Sequence, residues 1–75
     1  MNESLRIKKD IDMFETNLIQ LSIKNKKLTE LQEKTIELSK QYYNDSKYYL
    51  GKKDYFTAFG CINYAHGLLD AIIKF

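Results

Sequence analysis

The sequence predicts an all-α protein folded as an up-and-down three-helix bundle. The chain of 75 residues has no proline and only three glycines, so it lacks most of the residues that interrupt helices or build tight turns. Apolar residues recur at helical spacing along three segments of similar length, and short connections between such segments favour antiparallel neighbours. With 44% hydrophobic and 29% charged residues, the composition is typical of a globular protein.

The first helix is predicted over residues 3–24. Its apolar residues follow one another at steps of four and three, which places them on a single stripe. A turn is expected at residues 25–28, because Asn25 is the one good turn or cap residue there, although a longer and kinked first helix remains an alternative. The stripe consists of Ile7, Ile11, Phe14, Leu18 and Leu21.

The second helix is predicted over residues 28–50. Thr29 and Gln32 have the spacing of a capping box at its start. Gly51 suits the end of the helix, since glycine adopts the left-handed conformation at low steric cost. The seam expected to face the core consists of Leu28, Leu31, Thr35, Leu38, Tyr42, Asp45 and Tyr49, with Ile36 beside it.

The third helix is predicted over residues 54–74, with Asp54 as its N-cap. Its expected buried stripe is Ala58, Phe59, Ile62, Ala65, Leu69 and Ile72. Apolar residues continue well beyond that stripe, so this helix is either the most buried of the three or part of a self-association surface. The residues expected to form such an interface are Phe56, Tyr64, Leu68 and Phe75.

Composition also argues against several classes of function. The net charge is +2 and the chain has a single arginine, which is poor provision for nucleic-acid recognition. No apolar run approaches the roughly 20 residues of a membrane span and no signal peptide is evident, so we expect a cytoplasmic protein that does not bind membranes. One cysteine, Cys61, excludes an internal disulfide and is expected to be buried and inert. No cofactor is expected, and the small size argues against an enzyme.

Four polar residues on the second and third helices are candidates for a ligand site. An antiparallel pairing of these helices places residues whose numbers sum to about 105 opposite each other. A small polar pocket that binds a ligand or metal is one interpretation. The other is structural: Asp45 and Asp70 accept hydrogen bonds from Tyr or Thr hydroxyls and fix the register. The four candidates are Asp45, Asn63, His66 and Asp70.

Gly60, Gly67 and Ala71 place a line of small side chains along the third helix. A glycine inside a helix costs roughly 1 kcal/mol relative to alanine, so a geometric reason is expected. Close packing against a neighbouring helix is one explanation. A shallow groove that admits a ligand or a side chain of a partner is the other.

The C-terminal half contains the segment Tyr64-Ala65-x-Gly67-Leu68-Leu69-Asp70-Ala71, preceded by Tyr49-Leu50-Gly51-x-x-Asp54-Tyr55. With these residues it resembles the archaeal domain-of-unknown-function 357 family, and the first segment is the most specific part of the resemblance. The first helix resembles the family only in its general character and carries no specific motif. The resemblance implies an up-and-down three-helix bundle but no activity.

A weaker similarity links the chain to microtubule-interacting-and-trafficking domains and tetratricopeptide-like hairpins. It rests on Asp45, Gly51, Tyr55, Ala58 and Tyr64, whose spacing reflects the packing of a helical hairpin. Such hairpins hold peptides in grooves, so this similarity implies peptide binding as a further possibility.

Together these observations predict a non-enzymatic interaction or assembly module that self-associates through the third helix or binds a helical protein partner. The alternative is a small-ligand or metal-binding domain that uses the polar residues between the second and third helices.

Overall fold

The computed structural model describes residues 2–23 and 27–74. The described residues form three α-helices, and the helices pack against one another as the predicted three-helix bundle. The bundle is about 40 Å long and 18 × 16 Å across. The helices are α1 (Glu3–Ile23), α2 (Glu30–Gly51) and α3 (Tyr55–Lys74).

Helix α1 follows the predicted stripe. Phe14 is fully buried, and its ring stacks on Tyr43 of α2 at 5.0 Å and meets the ring of His66 of α3 edge-on at 5.7 Å. Phe14 therefore joins all three helices. Residues 24–26 lie outside the described residues, so the predicted end of the first helix, the first half of the predicted turn at 25–28 and the alternative of a longer first helix fall there.

Helix α2 begins two residues later than predicted, because Thr29 caps it. The Thr29 hydroxyl accepts from the Gln32 backbone N–H at 3.1 Å, and the Gln32 side chain accepts from the Thr29 N–H at 2.9 Å. This reciprocal pair is the capping box that the sequence indicated.

The predicted seam of α2 is only partly right. Leu28, Tyr42 and Tyr49 pack against the core as predicted, but the side of the helix that is fully buried is rotated away from the seam. Leu31 is 74% exposed, Leu38 is 39% exposed and Asp45 is exposed. The buried positions are instead Ile36, Ser39 and Ser46. The two serines can be buried because each hydroxyl donates to a backbone carbonyl, Ser39 to Ile36 at 2.7 Å and Ser46 to Ala58 at 2.9 Å.

The connection between α2 and α3 differs from the prediction that Gly51 adopts the left-handed conformation. Gly51 ends α2, but the left-handed residue is Lys53, at a φ of 63°. The N–H of Asp54 donates to the Tyr49 carbonyl at 2.9 Å, and the N–H of Lys53 donates to the Leu50 carbonyl at 3.0 Å. These two bonds define a Schellman motif in which lysine occupies the position usually held by glycine.

Asp54 caps α3 as predicted, its carboxylate accepting from the Thr57 N–H at 3.2 Å. Helices α2 and α3 form the most extensive helix pair. Their contact is close because small residues face each other, with Ser46 opposite Ala58. The Tyr42 and Tyr64 rings also meet at 4.6 Å, so both pairs agree with the predicted antiparallel register.

Candidate interaction surface

One side of α3 faces no other helix and carries few polar groups. Residues 56, 60, 63, 67 and 71 follow one another at steps of four and three, and all of them are exposed. Phe56 is 90% exposed, and Phe59 and Tyr64 flank it at 38% and 52%. We call this surface the α3 face; it consists of Phe56, Phe59, Gly60, Asn63, Tyr64, Gly67 and Ala71.

The charge pattern separates the α3 face from the rest of the exterior. Residues 55–69 contain no Asp, Glu, Lys or Arg, although most solvent-exposed helix faces are rich in charge. The outer side of α2, by contrast, carries ion pairs between Glu30 and Lys34 and between Glu37 and Lys40. A contiguous exposed apolar patch of this kind marks an interaction surface more often than an ordinary exterior.

Two shallow depressions border the α3 face. The first has a volume of about 310 Å³ and lies between the starts of α1 and α3. There the Arg6 guanidinium lies 5.7 Å from the centre of the Phe59 ring, a cation–π arrangement. Its lining residues are Glu3, Arg6, Ile7, Tyr55, Phe56 and Phe59.

The second depression has a volume of about 490 Å³ and lies between α2 and α3. Tyr42 and Tyr64 form one wall, while Phe56 and Phe59 are shared with the first depression. Phe56 therefore stands between two concave regions that are both mainly apolar.

The two glycines of the α3 face have no close neighbours. A Cβ atom placed on Gly60 or Gly67 would meet nothing within 4 Å. Packing inside the bundle therefore does not explain these glycines, although the sequence suggested that it would. Close approach is used instead on the buried side of α3, at Ala58 and Ala65.

The structure also places the other predicted interface residues. Leu68 is half-buried beside the α3 face, and Phe75 lies outside the described residues. Phe59, predicted as a core residue, is partly exposed because it lies at the edge of the α1–α3 contact and supports Arg6.

The four polar candidates have separate surroundings. The half-buried His66 side chain turns toward α1, where its Nε2 lies 2.8 Å from the Asp10 carbonyl oxygen and donates to it. Asp45 and Asn63 are exposed. The Asp70 carboxylate lies 4.0 Å from the Lys74 ammonium on its own helix. None of the four lines the two depressions just described.

Within the described residues, neither Asp45 nor Asp70 accepts a hydrogen bond from a Tyr or Thr hydroxyl, the structural role suggested as the alternative. Hydrogen bonds across the α2 interfaces come instead from Ser46 and from Tyr43, whose hydroxyl donates to the Glu15 carboxylate of α1. Partial burial raises the pKa of Tyr43, and the Glu15 carboxylate raises it further. The sequence offered no signal for Ser39 or Ser46 beyond their helical spacing from Ile36.

The described part of the chain holds no group of three or more His, Cys, Asp or Glu side chains arranged to bind a metal ion. Cys61 is half-buried. Burial raises the pKa of its thiol, and the Asp45 and Asp54 carboxylates raise it further, which is the opposite of what a nucleophilic cysteine needs.

Helix α3 is also long and apolar enough to cross a membrane, by length and composition only, with a mean hydropathy of 1.2 over an 18-residue window. Polar residues such as Asn63 and His66 interrupt its apolar runs, so the search for an uninterrupted run did not predict this. The criterion is weak, because core helices of soluble bundles satisfy it too, and Ala58, Ile62, Ala65 and Leu69 of this helix are fully buried against α1 and α2.

The fold and surface define a class: a small helical domain whose last helix is buried on one side and apolar but unpartnered on the other. A family model described as "Protein of unknown function (DUF357)" matches residues 9–75. The chain belongs to this DUF357 family, which confirms the resemblance found in the C-terminal half and extends it over most of α1. A comparison with curated proteins finds no match.

Proposed function

We propose that this domain is a non-enzymatic assembly module that self-associates through the α3 face. The observation that carries the proposal is the exposure of Phe56, 90% of which is open to solvent at the start of a helix that has no Asp, Glu, Lys or Arg from residue 55 to 69. Aromatic side chains that are buried on association supply much of the energy of protein interfaces.

The position of the surface supports this function. Phe56, Phe59 and Tyr64 extend from one rigid helix, so little conformational entropy would be lost on association apart from that of the side chains themselves. The uncharged strip beside them removes the cost of desolvating ionic groups.

We place this assembly in the cytoplasm and propose a protein partner, with no nucleic acid or membrane involved. The isolated Arg6 is engaged with Phe59, so it offers little to a phosphate backbone. The buried stripe of α3 would have to leave the core before this helix could enter a bilayer.

The test is sedimentation velocity over a concentration series with single substitutions. Phe56→Lys and Tyr64→Lys each place a charge on the α3 face and should shift the equilibrium toward monomer. Leu5→Lys is the matched control, since Leu5 is 61% exposed but lies on α1 away from the buried stripe of that helix. Equal association in all three variants and in the parent protein would refute the proposal.

A further inference from the structure

The α3 face is bulky at one end and hollow at the other. Phe56 projects from the first turn of the helix, whereas Gly67 and Ala71 lie on the same face three and four turns further on, about 16 and 22 Å along the axis. Nothing fills the space above Gly67, where an added Cβ would meet no atom within 4 Å. The protein therefore presents a projecting aromatic ring and, further along the same surface, a flat stretch of small side chains.

We propose that two copies pair through their α3 helices in antiparallel orientation, with Phe56 of each copy seated over Gly67 and Ala71 of the other. This inference rests on the self-association proposed above and specifies its geometry. A two-fold interface uses the same patch on both copies, so that patch must be complementary to itself. An antiparallel pairing centred between Asn63 and Tyr64 meets this condition.

The register follows from the residue positions. In this pairing Phe56 lies opposite Ala71 of the second copy, and Gly60 lies opposite Gly67. Asn63 lies opposite Tyr64, so an amide meets a phenol near the symmetry axis. A parallel pairing would instead set Phe56 against Phe56 and leave Gly67 facing Gly67 across a void, and voids forfeit contacts.

The charges at the ends of α3 favour the same orientation. Lys52, Lys53 and Asp54 precede the helix and leave that end with a net positive charge, whereas Asp70 and Lys74 at the other end lie 4.0 Å apart and offset each other. Parallel copies would bring the two positive ends together, whereas antiparallel copies place each positive end beside a neutral one. Opposed helix dipoles act in the same direction.

The surface area that the dimer would bury sets its expected affinity. Burying Phe56 and Tyr64 of both copies removes on the order of 600 Å² from water, judged from typical aromatic side-chain areas. Stable complexes bury at least about 1,200 Å². We therefore expect a reversible dimer that forms at micromolar to millimolar concentration.

Disulfide trapping tests the register. Gly60→Cys and Gly67→Cys are made separately in a Cys61→Ser background, one of them with a mass tag, then mixed and oxidised. Disulfides form only when the two Cα atoms approach within about 7 Å. The proposal predicts that the mixed 60–67 disulfide exceeds its statistical proportion, and that Leu5→Cys in the same background gives only the collision-limited amount.

The possible results separate the two proposals. An excess of 60–60 and 67–67 disulfides would overturn the antiparallel register while leaving self-association standing. Trapping no better than that of Leu5→Cys, together with a monomeric mass for the parent protein at every concentration, would overturn both.

A larger side chain at Gly67 gives a second and independent test of the dimer geometry. Gly67→Leu occupies the space where Phe56 of the second copy is expected, and it should weaken dimerisation at least about tenfold. Gly51→Leu is the control, because an added Cβ there also meets nothing within 4 Å, but the residue lies at the end of α2. If Gly67→Leu dimerises as the parent protein does, Phe56 does not occupy that space.

Discussion

The two sides of α3 have similar residues and different neighbours. The buried side carries Ala58, Ile62, Ala65 and Leu69, all fully buried, and at Ala58 the α2 helix comes close enough for Ser46 to donate to its carbonyl. The exposed side carries Gly60, Gly67 and Ala71 in a comparable line, beside Phe56. Small side chains on the first side permit close helix packing, whereas those on the second contact nothing in the bundle.

This comparison explains why a short chain keeps two glycines inside its most apolar helix. Each costs roughly 1 kcal/mol in helix propensity, which is substantial when total stability is about 0.05–0.15 kcal/mol per residue. Inside the bundle, alanine would fit at either position. The packing surface that we propose for a second copy would account for both glycines.

The largest expected difference is between a phenylalanine of the core, Phe14 of α1, and Phe56 of the α3 face. Phe14→Ala should lower the free energy of unfolding by about 3–5 kcal/mol, because Phe14 is fully buried between Tyr43 and His66. Phe56→Ala should change it by less than about 0.5 kcal/mol in dilute solution. Urea denaturation measures both, and a loss above 2 kcal/mol for Phe56→Ala would mean that Phe56 is part of the core.

The next largest difference is between two alanines on opposite sides of α3, Ala65 and Ala71. Ala65→Leu should lower the free energy of unfolding by about 1–3 kcal/mol, because Ala65 is fully buried and the core has no room for three more carbons. Ala71→Leu, on the exposed side, should leave stability within about 0.5 kcal/mol. Thermal melts of the two variants would contradict this account if the penalties were equal.

The predictions from sequence succeeded where a single physical pattern decided the outcome. The stripe of α1 is confirmed, since alternation of large apolar and charged residues leaves only one way to bury the helix. The Asp54 cap is confirmed for a similar reason, because a short carboxylate before an apolar run has one favourable role.

The seam of α2 was only partly predictable, because hydrophobicity favours the wrong residues at several positions. Leu31 and Leu38 are more hydrophobic than Ser46, yet they are exposed, whereas Ser46 is buried and donates to the Ala58 carbonyl of α3. That choice depends on the partner helix, which a pattern within α2 does not contain. The polar candidates show a similar limit: His66 and Asp70 share one side of α3 by spacing, but the His66 side chain turns to α1.

A smaller effect on stability is expected in the connection between α2 and α3. Lys53 holds a left-handed φ of 63°, which costs a residue with a side chain roughly 1 kcal/mol or more. Lys53→Gly should therefore raise the free energy of unfolding by about 1 kcal/mol and the Tm by about 4–8 °C. Differential scanning calorimetry measures the shift, with Lys52→Gly as the control, since Lys52 has an ordinary helical φ of −84° and should gain nothing.

The smallest effect concerns reactivity at the margin of the α3 face. Because burial and the carboxylates of Asp45 and Asp54 raise the pKa of Cys61, less thiolate is present at a given pH. Cys61 should react more slowly with a thiol reagent near pH 8 than a cysteine in an unstructured peptide does. Its rate should go on rising above the pH at which the peptide reaches its plateau, and equal rates would contradict the assigned surroundings.

The most direct test of the central claim is a dilution series followed by two-dimensional amide NMR, from about 1 mM down to the micromolar range. We predict concentration-dependent shifts at Phe56, Gly60, Asn63, Gly67 and Ala71, and constant positions for Leu5 and Met13, which are exposed on α1. Spectra that do not change with concentration, or changes confined to α1, would contradict the claim that the α3 face is where this domain assembles.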